Sequence, residues 1–196
     1  MAQADTSAPA VRFDGVTKRY GGFTAVDGID FEVPPGAIFG ILGSNGAGKT
    51  TSIRMLMNIL KPDDGQIAVL GEPASETVKS RIGYLPEERG LYKKMKLEEL
   101  LLFFGRIKGR DTAFLRPRID HWLERMGLEG WRDRKVEELS KGMSQKLQFV
   151  VTVVHGPDLL VLDEPFAGLD PVNRDVLRDA VLAMHREGTS VVFSTH

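Results

Sequence analysis

The chain has 196 residues, 42% of them hydrophobic, enough for one domain with a substantial core and at most a small subdomain. Its 26 basic and 27 acidic side chains leave a net charge of −1, which offers no global attraction to nucleic acid or anionic lipid, and the lack of cysteine excludes disulfides and thiolate metal sites. The longest apolar runs, such as Leu159 to Leu162 and Leu100 to Phe104, fall far short of the roughly 18–20 residues of a membrane span, and Met1 to Ala10 lacks a signal-peptide core. The expectation is a soluble, cytosolic protein with any membrane role mediated by a partner chain.

In chain order, residues 1–10 are expected to form a disordered tail. From Val11 to Val33, short apolar pieces alternate with Gly and charged residues, predicting two or three short antiparallel strands with turns at Asp14-Gly15 and Gly21-Gly22. Pro34-Pro35-Gly36 turns into a buried strand, Ile38 to Leu42, and a helical pattern follows from Ser52 to Leu60. Turn chemistry at Lys61 to Gly65 precedes a short strand, Gln66 to Leu70, and proline stops another at Arg81 to Pro86. Helical spacing predicts helices over 97–108 and 112–126, closed by Gly109 and Gly127, and the whole region 91–155 reads as a helical insert. Leu159 to Leu162 is an apolar strand, Pro171 to Arg186 a helix and Ser190 to Ser194 a last strand. Apolar strands alternating with helices imply an α/β fold with a mostly parallel sheet covered on both faces, beside an N-terminal antiparallel β subdomain.

The organising stretch is Gly43-Ser44-Asn45-Gly46-Ala47-Gly48-Lys49-Thr50-Thr51, between strand and helix. That is the context of a phosphate-binding loop: glycines let backbone N–H groups turn inward around an anion, and the helix dipole points at the same anion. Lys49 adds a charge for the β- and γ-phosphates, and the Thr50 hydroxyl is placed to ligate Mg²⁺. Leu159-Leu160-Val161-Leu162-Asp163-Glu164 carries two carboxylates to the C-terminal edge of a strand, where open α/β sheets bind ligands. Asp163 is the candidate Mg²⁺ ligand through water and Glu164 the candidate base. By itself, an apolar run ending in acids is equally a strand entering a solvated loop.

At this point the sequence resembles the ATP-binding cassette family, the nucleotide-binding domains of ABC transporters, from Val11 to His196. Its most specific element is Leu139-Ser140-Lys141-Gly142-Met143-Ser144-Gln145, similar to the family signature LSGGQ, with Lys141 for the first glycine and Met143 for glutamine. The resemblance implies that Ser140, Gly142 and Met143, ahead of a helix over Gln145–His155, hold nucleotide in trans; taken alone, Ser140 reads as a helix cap. Tyr20 resembles the aromatic that stacks on adenine, Val26 the small apolar residue that touches the base, and Asp170 in Ala167-Gly168-Leu169-Asp170 the D-loop of the dimer interface. His196 resembles the switch histidine that contacts the γ-phosphate. Glu87 stands where the family has a glutamine near the metal, and its negative charge beside a triphosphate implies a different distance or pKa.

The segment Glu87-Glu88-Arg89 together with Leu-Ser-Lys-Gly-Met resembles the ABC-2-type, sodium-efflux or drug-exporter branch. Family members continue past the switch histidine, so the resemblance implies a C-terminally truncated chain, with nothing to fix the rotamer of His196. It further implies ATP hydrolysis with Mg²⁺, a head-to-tail dimer with a second nucleotide-binding domain, expected to be a homodimer, and a separate transmembrane permease. The protein would then sit in the cytoplasm, peripheral on the inner face of the membrane, with no nucleic-acid partner. A soluble ATPase acting on ribosomes or nucleic acid, and a low-turnover regulatory subunit, are the alternatives.

Overall fold

A computed structural model describes residues 8–87 and 90–196. Most of the expected tail, and Glu88 and Arg89 of the branch-specific segment, lie outside the described residues. Ala10 does not belong to a disordered tail: it is buried, its N–H donates to the Val33 carbonyl at 2.8 Å, and its own carbonyl accepts from Leu70.

Two sheets form the framework. Strands β1 (Val11–Tyr20), β2 (Phe23–Val33), β4 (Asp64–Val69) and β5 (Glu72–Pro73) make an antiparallel sheet in the order β2-β1-β4-β5. Strands β3 (Ile38–Leu42), β6 (Ile82–Leu85), β7 (Leu159–Leu162) and β8 (Ser190–Thr195) make a wholly parallel sheet in the order β3-β8-β7-β6. Helix α1 (Lys49–Leu56) follows β3; α2 (Leu97–Ile107), α3 (Thr112–Met126) and α4 (Lys141–Val153) form the helical layer; α5 (Pro171–Arg186) links β7 to β8.

Asp14-Gly15 is not a turn. β1 runs through it, with Gly15 at φ 56° and its N–H donating to Asp30 Oδ1 at 2.6 Å. The register shift between Phe13 and Val16 is a bulge. It changes the parity of the strand, so that Val11 and Phe13 before it and Val16 after it all reach the same core. β3 is also less buried than its apolar run predicts: among the described residues it is the end strand of the parallel sheet, and Ile38 and Leu42 are exposed. Helix α1 begins at Lys49 rather than Ser52, and α4 at Lys141 rather than Gln145, because Gly48 and Ser140 supply their N-terminal caps.

The pleat of β7 divides the core in two. Leu159 and Val161 face α1 and the antiparallel sheet, whereas Leu160 and Leu162 face the helices. The parallel sheet is thus covered on both faces, and the C-terminal ends of β3, β7 and β8 meet at one edge, Leu42 opposite Thr195 and Leu162 opposite Phe193.

Cations join the helical layer to the core. Lys108 Nζ donates to the carbonyls of Lys79 and Ile82, Arg110 Nε to that of His155 and Arg118 Nε to that of Val154. His155 lies buried beneath them. Burial, and then the charges of Lys108 and Arg110, lower its pKa to about 3. The unfolded chain takes up this proton near pH 6.5 and the native chain does not, so stability is complete above that pH and falls as pH drops toward 3. Between pH 7 and pH 5 the loss from this one group is about 2 kcal/mol. Denaturant unfolding at the two pH values is expected to show it, and His155→Leu to remove it.

Candidate functional site

The sheet edge gathers the predicted chemistry. The loop 43–48 leaves β3 and enters α1 directly; Gly46 and Gly48 both have φ 83°, a conformation other residues adopt at a cost. The opening N–H groups of α1 carry the positive end of its dipole. Lys49 is buried, and its Nζ donates to the Gly43 carbonyl at 2.6 Å and lies 3.4 Å from Glu164 Oε1. The ammonium thus spans the loop mouth, where an incoming phosphate oxygen would replace the carbonyl.

Asp163 and Glu164 emerge from β7 beside this loop. Thr50 Oγ1 donates to Asp163 Oδ1 at 3.3 Å, while Asp163 Oδ2 is buried with no hydrogen-bond partner. An orphaned carboxylate oxygen beside a hydroxyl fits a hydrated divalent cation. Among the described residues no group of three His, Asp or Glu side chains is poised to hold a metal. A cation here would therefore lean on Thr50, Asp163 and the phosphates of its nucleotide. Glu87 lines the same cavity but is exposed and is not gathered with Asp163 into such a group.

The cavity, about 460 Å³, is lined by the loop from Ser44 through Asn45 and Ala47 to Thr51, and by Tyr20, Phe23, Ala25, Glu87, Glu164, Ala167 and His196. A larger one, about 630 Å³, lies between β1, β4 and the end of α1, away from the phosphate loop. Tyr20 lines the first cavity, and Phe23, its partner across the hairpin turn, lines it too. Only the pairing of the two strands reveals Phe23. Val26 is buried in the core beneath the loop and does not line the cavity, whereas Ala25, on the opposite face of β2, does.

His196 is not left without a rotamer partner. Its Nδ1 lies 3.2 Å from Glu164 Oε1. Glu164 itself adopts φ 47°, a strained value for a non-glycine residue, and its N–H donates to Ser194 Oγ at 2.9 Å. Ser194 Oγ donates in turn to Asp163 Oδ1 at 2.6 Å. Sequence reading passes over Ser194 as an ordinary strand residue. Tyr84, on neighbouring β6, has its phenol pushed up to about 12 by burial and by the charge of Asp163, and so stays protonated.

Ser140, Gly142, Met143 and Asp170 do not line the cavity. Ser140 caps α4, its Oγ accepting from Met143 N at 3.3 Å, and Asp170 caps α5, its Oδ1 accepting from Asn173 N at 3.0 Å. That bond, first of its hydrogen bonds, holds the Asp170 carboxyl below the usual range. The Asn173 amide also packs on Gly142, where an added Cβ would lie 2.6 Å from Nδ2. The two segments are therefore neighbours of one another within the chain, and neither Ser140, Gly142 and Met143 nor Asp170 lines the cavity of its own phosphate loop.

A family model described as ABC transporter matches residues 26–167. The uncharacterized ABC transporter ATP-binding protein YhaQ of Bacillus subtilis (strain 168) is 48% identical over 183 residues, covering 93% of this chain and 61% of the relative. The Nod factor export ATP-binding protein I of Paraburkholderia xenovorans (strain LB400) is 40% identical over 190 residues, 95% of this chain and 62% of the relative. This chain therefore spans about three-fifths of the length of these curated relatives. A solved structure described as the ATP binding subunit of an ABC transporter superposes with a TM-score of 0.87 at 28% identity, covering 95% of this chain and 79% of that one.

Proposed function

The chain belongs to the ABC transporter family, and from that premise we propose that it is an ATPase subunit that drives a membrane exporter through ATP-dependent dimer closure. The observation that carries the reading is the convergence of Lys49, Thr50, Asp163 and Glu164 on one glycine loop at the edge of the parallel sheet.

ATP would seat its phosphates among the loop N–H groups, with Lys49 turning from the Gly43 carbonyl to the β- and γ-phosphates. Its base would lie against Tyr20, with Phe23 beside it. Thr50 and Asp163 would hold Mg²⁺, which supplies neutralisation of the triphosphate's charge. Glu164 would accept a hydrogen bond from the attacking water and align it with the γ-phosphorus. His196, against the same carboxylate, would help hold it toward the water. Ser140, Gly142 and Met143 do not line this cavity, so a second copy in head-to-tail arrangement would supply them, with Asp170 at the interface. ATP then favours the closed dimer because only that form contacts it from both sides.

No helix among the described residues is long and apolar enough to cross a membrane. A separate permease would supply the pathway, and the protein would sit on the cytoplasmic face through that partner. Exposed Tyr92, Phe103 and Ile107 lie on and beside α2, with Tyr92 and Phe103 packed edge to face at 5.9 Å, and offer an apolar surface for it. Export is favoured by the similarity to the Nod factor export ATP-binding protein I.

Mg-ATP turnover measured against protein concentration tests the reading. A specific rate that climbs with concentration supports a dimeric motor. A rate per chain independent of concentration, in a protein shown to be monomeric, would refute it.

A further inference from the structure

We propose that Ser194 is a positioning residue for the metal-dependent reaction: one buried hydroxyl on β8 fixes both the carboxylate of Asp163 and the backbone of Glu164. The proposal rests on the reading of the site as an Mg-ATP hydrolysis centre and adds a component of its machinery.

Ser194 follows Val192 on the same face of β8, pointing into the core that holds Val161 and Ile53. It is fully buried, at 0% exposure. An apolar side chain would satisfy that position more simply, so a hydroxyl there calls for partners. It has both. Its proton goes to Asp163 Oδ1 at 2.6 Å, and a lone pair receives the Glu164 N–H at 2.9 Å.

The first bond determines which Asp163 oxygen is left without a hydrogen bond. Thr50 and Ser194 both donate to Oδ1, so the carboxylate is held from two sides and Oδ2 alone remains without a partner. With one donor the carboxylate could rotate about its terminal torsion, which has a broad preference. The second bond holds Glu164 where its backbone is strained, at φ 47°. Two residues further on, His196 meets the Glu164 side chain. The end of β8 therefore restrains the metal carboxylate, the backbone of the base and the side chain of the base.

Outer-shell hydrogen bonds to metal ligands typically carry about 10–100-fold in metal affinity or activity. The test titrates Mg²⁺ into the protein with a fluorescent ATP analogue, and measures kcat and KM, for wild type and for Ser194→Ala, Ser194→Thr and Ser194→Val. Thr and Val add the same volume, so their difference isolates the hydroxyl. The Mg²⁺ midpoint of nucleotide binding should rise about 10–100-fold in the Ala and Val variants, with a comparable fall in kcat and little change in KM at saturating metal, while Thr restores the midpoint.

An Ala variant with the wild-type midpoint and kcat would overturn the proposal. So would Thr and Val variants impaired alike beside a wild-type-like Ala variant, because volume would then be the cause. Equal loss of metal-free nucleotide binding in the Ala variant would also overturn it, as a collapse of the loop. A wild-type protein that binds nucleotide with no response to Mg²⁺ would instead refute the underlying reading of the site.

Discussion

Glu164→Gln is expected to leave ATP binding within about threefold of wild type while lowering kcat about 10²–10⁴-fold, the usual contribution of a general base. The amide keeps the volume of the side chain and its place at the cavity wall but accepts no proton. It also removes the charge that faces Lys49 Nζ at 3.4 Å, so the ammonium is released toward phosphate rather than withheld from it. Binding therefore survives, and the closed, ATP-bound dimer should accumulate on size-exclusion chromatography in Mg-ATP. Lys49→Ala removes charge-assisted bonds of about 1.5–3 kcal/mol and should instead weaken ATP binding itself by roughly 10–100-fold. A Glu164→Gln protein turning over at the wild-type rate would remove Glu164 from the chemistry.

The features legible in the sequence are those set by neighbouring residues. The limits of α5 follow from Asp170 and Pro171 at its start, and the loop 43–48 announces itself through glycine spacing with Lys49 and Thr50 behind it. β7 is four apolar residues between a turn and two acids, and every one of them is buried. Long-range pairing hides the rest. That β3 ends the parallel sheet among the described residues is a property of sheet order, and its apolar run reads the same in either position. The Gly15 bulge imitates a turn because both use glycine at positive φ; only the partner strands distinguish them. Ser194 reaches across 31 residues to Asp163, and no local pattern marks a serine at the end of an apolar strand as a ligand-orienting group. That Ala25 rather than its neighbour Val26 lines the cavity follows from the pleat of β2, which no local pattern shows.

Gly48→Ala is expected to disable the site and destabilise the fold together, for a reason that Gly46→Ala isolates. Both glycines have φ 83°, so alanine at either carries a strain of roughly 1–3 kcal/mol. At Gly46 a new Cβ meets nothing within 4 Å. At Gly48 it would lie 2.2 Å from the Ala25 carbonyl oxygen and 3.1 Å from Val26 Cγ2. The first contact is backbone near the start of β2, which does not yield by a rotamer change, and overpacking of this kind adds about 1–3 kcal/mol or more. Together the two terms are about 2–6 kcal/mol, on the order of 5–20 °C in Tm for a domain of this size. Relief of the clash moves β2 away from the loop and carries with it Ala25 and the hairpin bearing Tyr20 and Phe23, the wall expected to receive the base. Mg-ATP should therefore raise the Tm of wild type and of Gly46→Ala but leave Gly48→Ala unshifted. If Gly48→Ala melted no lower than Gly46→Ala and retained the ligand shift, the close approach of β2 to the phosphate loop would not be the feature that holds the two halves of the cavity in register.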